Sequence, residues 1–288
     1  MKTFLALIEG SDADPAILEA AHTLATATDG HIDVLHVDLT VLDAAGYAPQ
    51  GDFARGPSLE GSLKSLDARR TKSAETARGA FIELCTRQGV AEASEPSAAK
   101  GVTACWHRES SAQIDRLIEM ARHHDAIICG HPSSGHDWPR HLIERLLTET
   151  GRPLLLLPMG TRMRDIGSVT LCWKEDAASA RALTAALPLL KHARSVAIIT
   201  VRESAEQTAK SGQDLAAQLG WHGIDARAEL IWDGGASAIN HIRAAAAANR
   251  ASLIVMGAFS HSRTRERLFG GCTQAMLDGA ERPVFLLH

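Results

Sequence analysis

The 288-residue chain is poor in aromatic side chains, which make up 4% of it and include a single tyrosine. A core therefore has to be built mainly from Leu, Val, Ile and Ala. Basic residues are not in excess either, since the net charge is -4 and the isoelectric point is about 6.4. Nucleic-acid-binding proteins usually carry a basic excess, so no nucleic-acid partner is expected.

Paired cysteines and long apolar runs are also missing. The five cysteines are scattered and form no Cys-x-x-Cys pair, which favours free thiols in a reducing compartment. No apolar run approaches the ~20 residues that a membrane-spanning helix needs. The first residues, MKTFLALIEGSDADP, lack the long apolar segment and the cleavage site of a signal peptide. We therefore expect a cytoplasmic protein that makes no contact with membranes.

The chain contains one pattern twice. A short apolar stretch entered by Arg-Pro occurs in the middle, at Gly151–Pro158, and again at the end, at Glu281–His288. Each is preceded by an apolar stretch that contains a glycine near its end, DAIICGHP in the first half and ASLIVMGAF in the second. The starts of the two halves also match, each with an apolar stretch, a polar turn and a helical pattern. An internal duplication of a whole folding unit is the simplest explanation.

Strands that alternate with helices predict parallel βαβ units. The strands are nearly continuous apolar runs, which is typical of a sheet covered on both faces. The fold class is therefore α/β, with two tandem five-stranded parallel α/β sandwich domains. We place them at residues 1–160 and 161–288, because Pro, Gly and charged residues replace the apolar pattern between Pro158 and Ser168.

The two copies differ in length. Glu9 and Gly130 are 121 positions apart, whereas the corresponding Lys174 and Gly257 are 83 apart, so the first half carries 38 additional residues. These fit best within 38–71, a segment rich in Gly, Pro and small polar residues. We expect a long loop with a helix extension there, either functional or mobile.

The loop that follows ASLIVMGAF carries a recognisable spacing. Gly257 is followed after two residues by Ser260, then after nine more by Gly270 and Gly271. This segment, together with the duplication, resembles the universal stress protein family and in particular its tandem bacterial members. The resemblance implies a Rossmann-like fold of the adenine nucleotide alpha hydrolase type and a role in the stress response. It also implies that ATP, where a member binds it, lies with its triphosphate on the glycine loop and its adenosine near the ends of the first two strands.

The second half keeps only part of that glycine loop. The family motif has glycine at the second position and Ser or Thr at the last, where this chain has Ser260 and Gly271. Hydroxyls and cations in the loop could still hold phosphate, although the glycines could equally serve only to turn the chain and cap a helix. Relatives that bind nucleotide usually have Asp where Lys174 stands. The candidate residues for binding ATP or another adenine nucleotide, and the Mg²⁺ that can accompany it, are Gly257, Ser260, His261, Ser262, Arg263, Gly270, Gly271, Cys272, Thr273, Lys174 and Val201.

The first half keeps the acidic residue of the family's nucleotide site but lacks the end of the glycine motif. Glu9 keeps a carboxylate at the position of the family's Asp, but Ile143 and Glu144 stand where the last glycine and the hydroxyl residue belong. No phosphate site is expected there.

The sequence signals for other kinds of functional site are weaker. Histidines gather between His123 and His141, but their spacing fits no structural zinc motif, so the prediction is that no metal is bound and adventitious binding is the alternative. The stretch HPSSGHD lacks the first glycine of a serine hydrolase motif. Cys272 follows the glycine loop at the start of a helix, where a thiol can be reactive.

We expect the closing strands of the two halves, Leu154–Leu157 and Val284–Leu287, to pair antiparallel in an internal pseudo-dimer, because an unpaired apolar edge strand invites association. Dimerisation of the whole chain is left open. The resemblance favours a non-enzymatic stress protein with a nucleotide as regulatory ligand. The alternative is a stress protein that binds no nucleotide and serves as a scaffold for partner proteins not yet known.

Overall fold

The structure is a computed structural model that describes residues 1–37, 57–96, 101–108, 114–132, 138–202, 208–232, 237–259 and 271–288. Its helices are α1 (Asp14–Thr28), α2 (Pro57–Gln88), α3 (Ile114–Arg122), α4 (Arg140–Glu149), α5 (Ala177–Leu190), α6 (Lys210–Gly220), α7 (Ala238–Ala248) and α8 (Gly271–Asp278). Its strands are β1 (Thr3–Ile8), β2 (His31–His36), β3 (Ala91–Glu92), β4 (Thr103–Arg108), β5 (Ala126–Gly130), β6 (Leu154–Leu157), β7 (Ser168–Cys172), β8 (Ser195–Arg202), β9 (Ala226–Trp232), β10 (Leu253–Gly257) and β11 (Val284–Leu287).

The strands form one sheet in the order β3-β4-β2-β1-β5-β6-β11-β10-β7-β8-β9. The order β4-β2-β1-β5-β6 in the first half is repeated as β9-β8-β7-β10-β11 in the second. Neighbouring strands within each half are parallel. This agreement confirms the predicted α/β fold and the repeat of one Rossmann-like unit. The first half has one additional strand, the two-residue β3, at its outer edge.

The two five-stranded sheets join into one continuous sheet. Strand β11 pairs antiparallel with β6, with Phe285 opposite Leu155. This is the predicted contact between the closing strands, and it is confirmed within the chain. Each of these strands would otherwise expose a row of backbone N–H and C=O groups, which the pairing satisfies.

The apolar core is shared between the halves on both faces of the sheet. One cluster joins Phe4 and Leu155 to Phe285 and Leu253, and the other joins Leu154 to Leu286 on the opposite face. Successive residues of a strand point to opposite faces, so the all-apolar closing strands feed both clusters at once. The join between the halves is therefore packed as an interior rather than as a surface contact.

The first turn of the chain shows how a local sequence directs an element. Pro15 lies at the start of α1, where its missing N–H and fixed φ are compatible with a helix. The helix stops at Asp29, which adopts a left-handed conformation with φ of 48°. The strand β2 follows at His31, so β1 and β2 come side by side in register.

The additional residues of the first half include part of a long helix. Helix α2 has 32 residues, whereas its counterpart α6 has 11. The predicted helix extension within 38–71 is thus present from Pro57 onward, and the predicted loop at 38–56 lies outside the described residues. In the described part of the chain, no helix combines the length and the hydropathy needed to cross a membrane.

The shared core predicts that Phe285→Ala destabilises the whole chain. Phe285 is fully buried in β11 next to the strand of the other half. Truncating a buried Phe leaves a cavity and costs about 3–5 kcal/mol. Urea unfolding should show this loss in a single transition that involves both halves.

The control is Trp221→Ala, since Trp221 is 88% exposed. We expect the control to change the free energy of unfolding by less than about 0.5 kcal/mol. Two separate transitions, with only the second shifted by Phe285→Ala, would contradict a shared core.

Candidate functional site

The strand order changes direction at β7 in the second half. The chain runs outward from β7 to β8 and β9, then returns to place β10 on the other side of β7. Ligands of open parallel α/β sheets bind beyond the carboxyl ends of the strands at such a reversal. Cys172 ends β7 and Gly257 ends β10. We call the region around Cys172, Trp173, Lys174, Gly257 and Thr273 the switch-point site.

Gly257 allows the start of α5 to approach β10. A Cβ on Gly257 would lie 2.6 Å from both the carbonyl carbon of Ala178 and the amide nitrogen of Ser179. The helix N-terminus, with its positive end of the dipole, is thereby held against the strand end. Asp176 caps this helix, because its carboxylate accepts a hydrogen bond from the Ser179 N–H at 2.8 Å. The glycine of the sequence motif thus has a packing role that the sequence spacing alone did not reveal.

The two ends of the glycine loop meet at a buried threonine. The Phe259 N–H donates to the Thr273 hydroxyl at 3.1 Å, and the exposed fraction of Thr273 is 3%. Phe259 has a φ of 56°, which is uncommon for a residue with a side chain. Gly271 opens α8 with nothing within 4 Å of a hypothetical Cβ. The remaining predicted loop residues lie outside the described residues: Ser260, His261, Ser262, Arg263 and Gly270.

Three further candidates lie on the other side of the switch-point site. Lys174 follows β7 and is partly buried, and Val201 is a partly buried residue of the neighbouring β8. Trp173 packs against the core, and its indole N–H donates to the Ser211 hydroxyl of α6 at 2.9 Å. Lys174 therefore lies just after β7 and Val201 lies on the adjacent β8. Trp173 has a packing role. Asp176, which sequence reasoning did not select, supplies a carboxylate two residues after Lys174.

Cys272 lies in the first turn of α8 and packs against the apolar cluster on one face of the sheet. The thiol of Cys172 is close enough for the two cysteines to interact. Burial, with a smaller contribution from Cys272, raises the pKa of the Cys172 thiol to about 12. Cys172 is therefore a poor thiolate at neutral pH, and the reactivity of Cys272 stays a prediction.

The corresponding turn in the first half already holds a carboxylate of the chain itself. Asp14 is fully buried and accepts hydrogen bonds from the N–H groups of Gly10 at 2.8 Å and Glu9 at 3.2 Å. A turn of this kind, just before a helix, is where backbone N–H groups would bind an external anion. Asp14 occupies the donors that a phosphate would use.

Helix α2 covers the same turn, which follows β1. The Ser73 hydroxyl donates to the Glu9 carbonyl at 2.5 Å and lies 3.0 Å from Nε2 of His36. A Cβ on Gly10 would lie 2.3 Å from the Ser73 carbonyl oxygen, so helix and turn are in contact. The ends of β1 and β2 are thus covered by α2.

The described histidines between His123 and His141 do not form one cluster. His131 is buried at the end of β5, with Nε2 2.6 Å from the Met276 carbonyl in the other half. His124 instead contacts Asp33 on β2 at 2.8 Å, where two histidines from elsewhere in the chain also lie. Sequence reasoning missed this group, because its three histidines are separated from one another by 17 to 93 residues and meet only when β2, β4 and the end of α3 pack.

Comparison with known proteins identifies the second half. Residues 172–288 match the model of the universal stress protein family. These residues form a universal stress protein domain. A universal stress protein from Archaeoglobus fulgidus superposes with a TM-score of 0.67 over 99% of this chain and 95% of that chain, at 16% identity.

A functionally unknown protein from Pseudomonas aeruginosa PAO1 gives a TM-score of 0.55 over 100% of this chain and 92% of that chain, also at 16% identity. Both likenesses show the fold. No curated protein matches the sequence significantly. The switch-point site thus lies in the universal stress protein domain, and the first half repeats its strand order.

The packing of Gly257 predicts that Gly257→Ala destabilises the universal stress protein domain. The added methyl group would collide with backbone atoms of α5, which cannot turn away as a flexible side chain can. Overpacking of this kind costs about 1–3 kcal/mol. Gly271→Ala is the matched control, because open space surrounds it, and it should change the free energy of unfolding by less than about 0.5 kcal/mol. Equal effects of the two substitutions would contradict the packing role.

Asp14 predicts a pH-dependent stability difference. Burial raises its pKa from 3.8 to about 6, against the opposing hydrogen bonds from the turn. A carboxyl whose pKa is higher in the folded state destabilises that state as it ionises, so stability falls as pH rises from about 4 to 6. The pKa difference corresponds to about 3 kcal/mol. Urea unfolding of wild type and Asp14→Asn from pH 4 to 7 should diverge by about this amount, and parallel curves would contradict it.

Proposed function

We propose that the chain is a tandem universal stress protein of the cytoplasmic stress response, and that its second half binds ATP or another adenine nucleotide as a regulatory ligand. The observation that carries this proposal is the contrast between the two halves. The turn in the first half holds the Asp14 carboxylate and lies under Ser73 of α2. The corresponding turn of the second half has Ser179 in place of Asp14.

The electrostatics of the second half suit an anion. Ser179 stands where the first half has the buried Asp14, and the carboxylate at the start of α5 is that of the partly buried Asp176, which accepts from the Ser179 N–H. Lys174 adds a positive charge at the end of β7, and a phosphate near it would be favoured. Mg²⁺ would enter with a triphosphate rather than through dedicated protein ligands. The same Lys174 is a poor partner for the adenine amino group, which favours phosphate recognition over base recognition.

A nucleotide that binds the folded state raises its stability by RT ln(1 + [L]/Kd), or about 2.7 kcal/mol at a ligand concentration of 100 Kd. Thermal unfolding with millimolar ATP-Mg²⁺ should therefore show a higher Tm. Gly271→Ser restores the hydroxyl of the family motif at a position with open space, so it should enlarge the shift without changing the Tm of the free protein.

The control is Gly279→Ser, because Gly279 also has open space around it but lies just after the other end of α8. It should leave the nucleotide-dependent shift unchanged. If ATP, ADP and AMP shift neither wild type nor Gly271→Ser, the second candidate is favoured: a scaffold for partner proteins that binds no nucleotide. Its support is that Gly257 and Thr273 have packing roles that need no ligand.

We further propose that the nucleotide is held without turnover, since a stress sensor of this kind needs only the bound state. Phosphate release from ATP should equal that of buffer alone. Release that Gly271→Ser alters in proportion to binding would instead establish a catalytic role.

A further inference from the structure

A second group of chemically active side chains lies in the first half, away from the switch-point site. Asp33 of β2 and Cys105 of β4 are paired across the sheet, and His107 lies two residues further along β4 on the same face. Their ligand atoms all lie within 4.8 Å of one another. Asp33 and Cys105 are third in their strands, so the group is distant from the covered carboxyl ends.

Three histidine rings form hydrogen bonds with the carboxylate of Asp33. Nε2 of His107 donates to Oδ1 at 2.6 Å, Nε2 of His31 to the same oxygen at 3.2 Å, and Nε2 of His124 to Oδ2 at 2.8 Å. These hydrogen bonds outweigh partial burial and hold the pKa of Asp33 well below its usual range. The carboxylate is therefore ionised and fixed in position. Three imidazoles directed at one carboxylate far exceed what a single structural Asp needs.

Two of these histidines are oriented by their other ring nitrogen. Nδ1 of His124 lies 2.9 Å from the Met120 carbonyl oxygen, which orients the ring with Nε2 toward Asp33. Nδ1 of His31 lies 2.7 Å from the Thr103 hydroxyl, which fixes that ring in the same sense. Such outer hydrogen bonds are how proteins orient the groups of a metal site. They constitute evidence independent of the clustering itself.

From this geometry we propose that Asp33, Cys105 and His107 bind a divalent transition-metal ion of the zinc class, with His124 and His31 positioning the Asp33 carboxylate. Thiolate and imidazole ligands suit zinc and its neighbours, whereas Mg²⁺ and Ca²⁺ prefer oxygen alone. Binding displaces the thiol proton of Cys105 to solvent, and the neutral imidazole of His107 carries its proton on Nδ1 so that Nε2 can bind the ion. One carboxylate and one thiolate then balance the two positive charges of the ion.

The distances fit with small adjustments. Tetrahedral zinc has bonds of about 2.0–2.3 Å to N, O and S, which separates its ligand atoms by roughly 3.3–3.7 Å. Oδ1 of Asp33 and Nε2 of His107 would move apart by about an ångström as the ion replaces the hydrogen bond between them. Three protein ligands leave a fourth position for water or an exchangeable ligand. The exposed side-chain fractions of 22% for Asp33 and 39% for His107 give the ion a path from solvent.

The test uses the full chain without a polyhistidine tag, stripped with a chelator and titrated with Co²⁺. Wild type should bind one Co²⁺ per chain with the intense visible bands of tetrahedral coordination and a near-ultraviolet thiolate-to-cobalt band. Zn²⁺ should displace Co²⁺ stoichiometrically, and millimolar Mg²⁺ should not. Weak octahedral bands, or no binding, would overturn the proposal.

Variants separate the roles of the residues. Cys105→Ser, a nearly isosteric change, should abolish the near-ultraviolet band, and His107→Ala should abolish tight binding. His124→Asn should weaken Zn²⁺ binding by about 10- to 100-fold while keeping the tetrahedral spectrum, as removal of an outer partner does. His123→Ala is the matched control, since His123 is the exposed neighbour of His124 and should bind like wild type.

Circular dichroism monitors folding of every variant. If His107→Ala does not fold, the Cys105→Ser spectrum decides. A near-ultraviolet band that persists in Cys105→Ser would assign the metal to another cysteine and overturn the proposed site. Equal affinity in wild type, Cys105→Ser and His107→Ala would do the same.

Discussion

The antiparallel pairing of β6 with β11 is the interaction on which the architecture depends. Each half alone would end in a short, fully apolar strand with an unpaired edge. By pairing with each other, the two edges turn two parallel sheets into one sheet of 11 strands and join the apolar clusters on both faces. The hydrophobic effect and backbone hydrogen bonding thus favour the same arrangement. The contact between Nε2 of His131, which follows β5, and the Met276 carbonyl of α8 also joins the two halves.

Within this joined sheet, the two copies differ in the side chains that occupy the turn after their first strand. In the first half, the longer helix α2 brings Ser73 onto Glu9 and Gly10, and Asp14 saturates the turn with its own carboxylate. In the second half, Ser179 stands where the first half has Asp14, and Gly257 allows the start of α5 to lie against β10. The two copies of one fold therefore differ at the same turn, and the proposed function assigns the ligand to the second copy.

The proposed metal site has a different origin from the proposed nucleotide site. The nucleotide site belongs to the strand ends and the helix N-termini, where backbone groups provide the binding chemistry. The Asp33 cluster belongs to side chains on one face of two neighbouring strands, where register pairs Asp33 with Cys105. The two sites lie in different halves and draw on different elements. A ligand at one does not require the other.

Periodicity and spacing in the sequence were enough to predict the repeat, the α/β class, the antiparallel meeting of the closing strands and the helix extension in the additional segment. These features follow from local patterns, because apolar runs and turn residues act over a few neighbouring positions. The motif spacing around Gly257 also pointed to the carboxyl end of β10, where Gly257 lies. The packing role of Gly257 did not follow from the sequence, since it depends on Ala178 and Ser179 approaching from another element.

Tertiary structure alone decided which histidines meet and which turn is occupied. The sequence directed attention to the stretch from His123 to His141, yet His124 joins Asp33 and His131 joins Met276. Register between β2 and β4 and the docking of α3 bring those partners together, and neither is encoded by spacing along the chain. Likewise, Ser73 covers Glu9 only because α2 folds back across the ends of β1 and β2. Local sequence determined the elements of this protein, and long-range packing determined which side chains can act together.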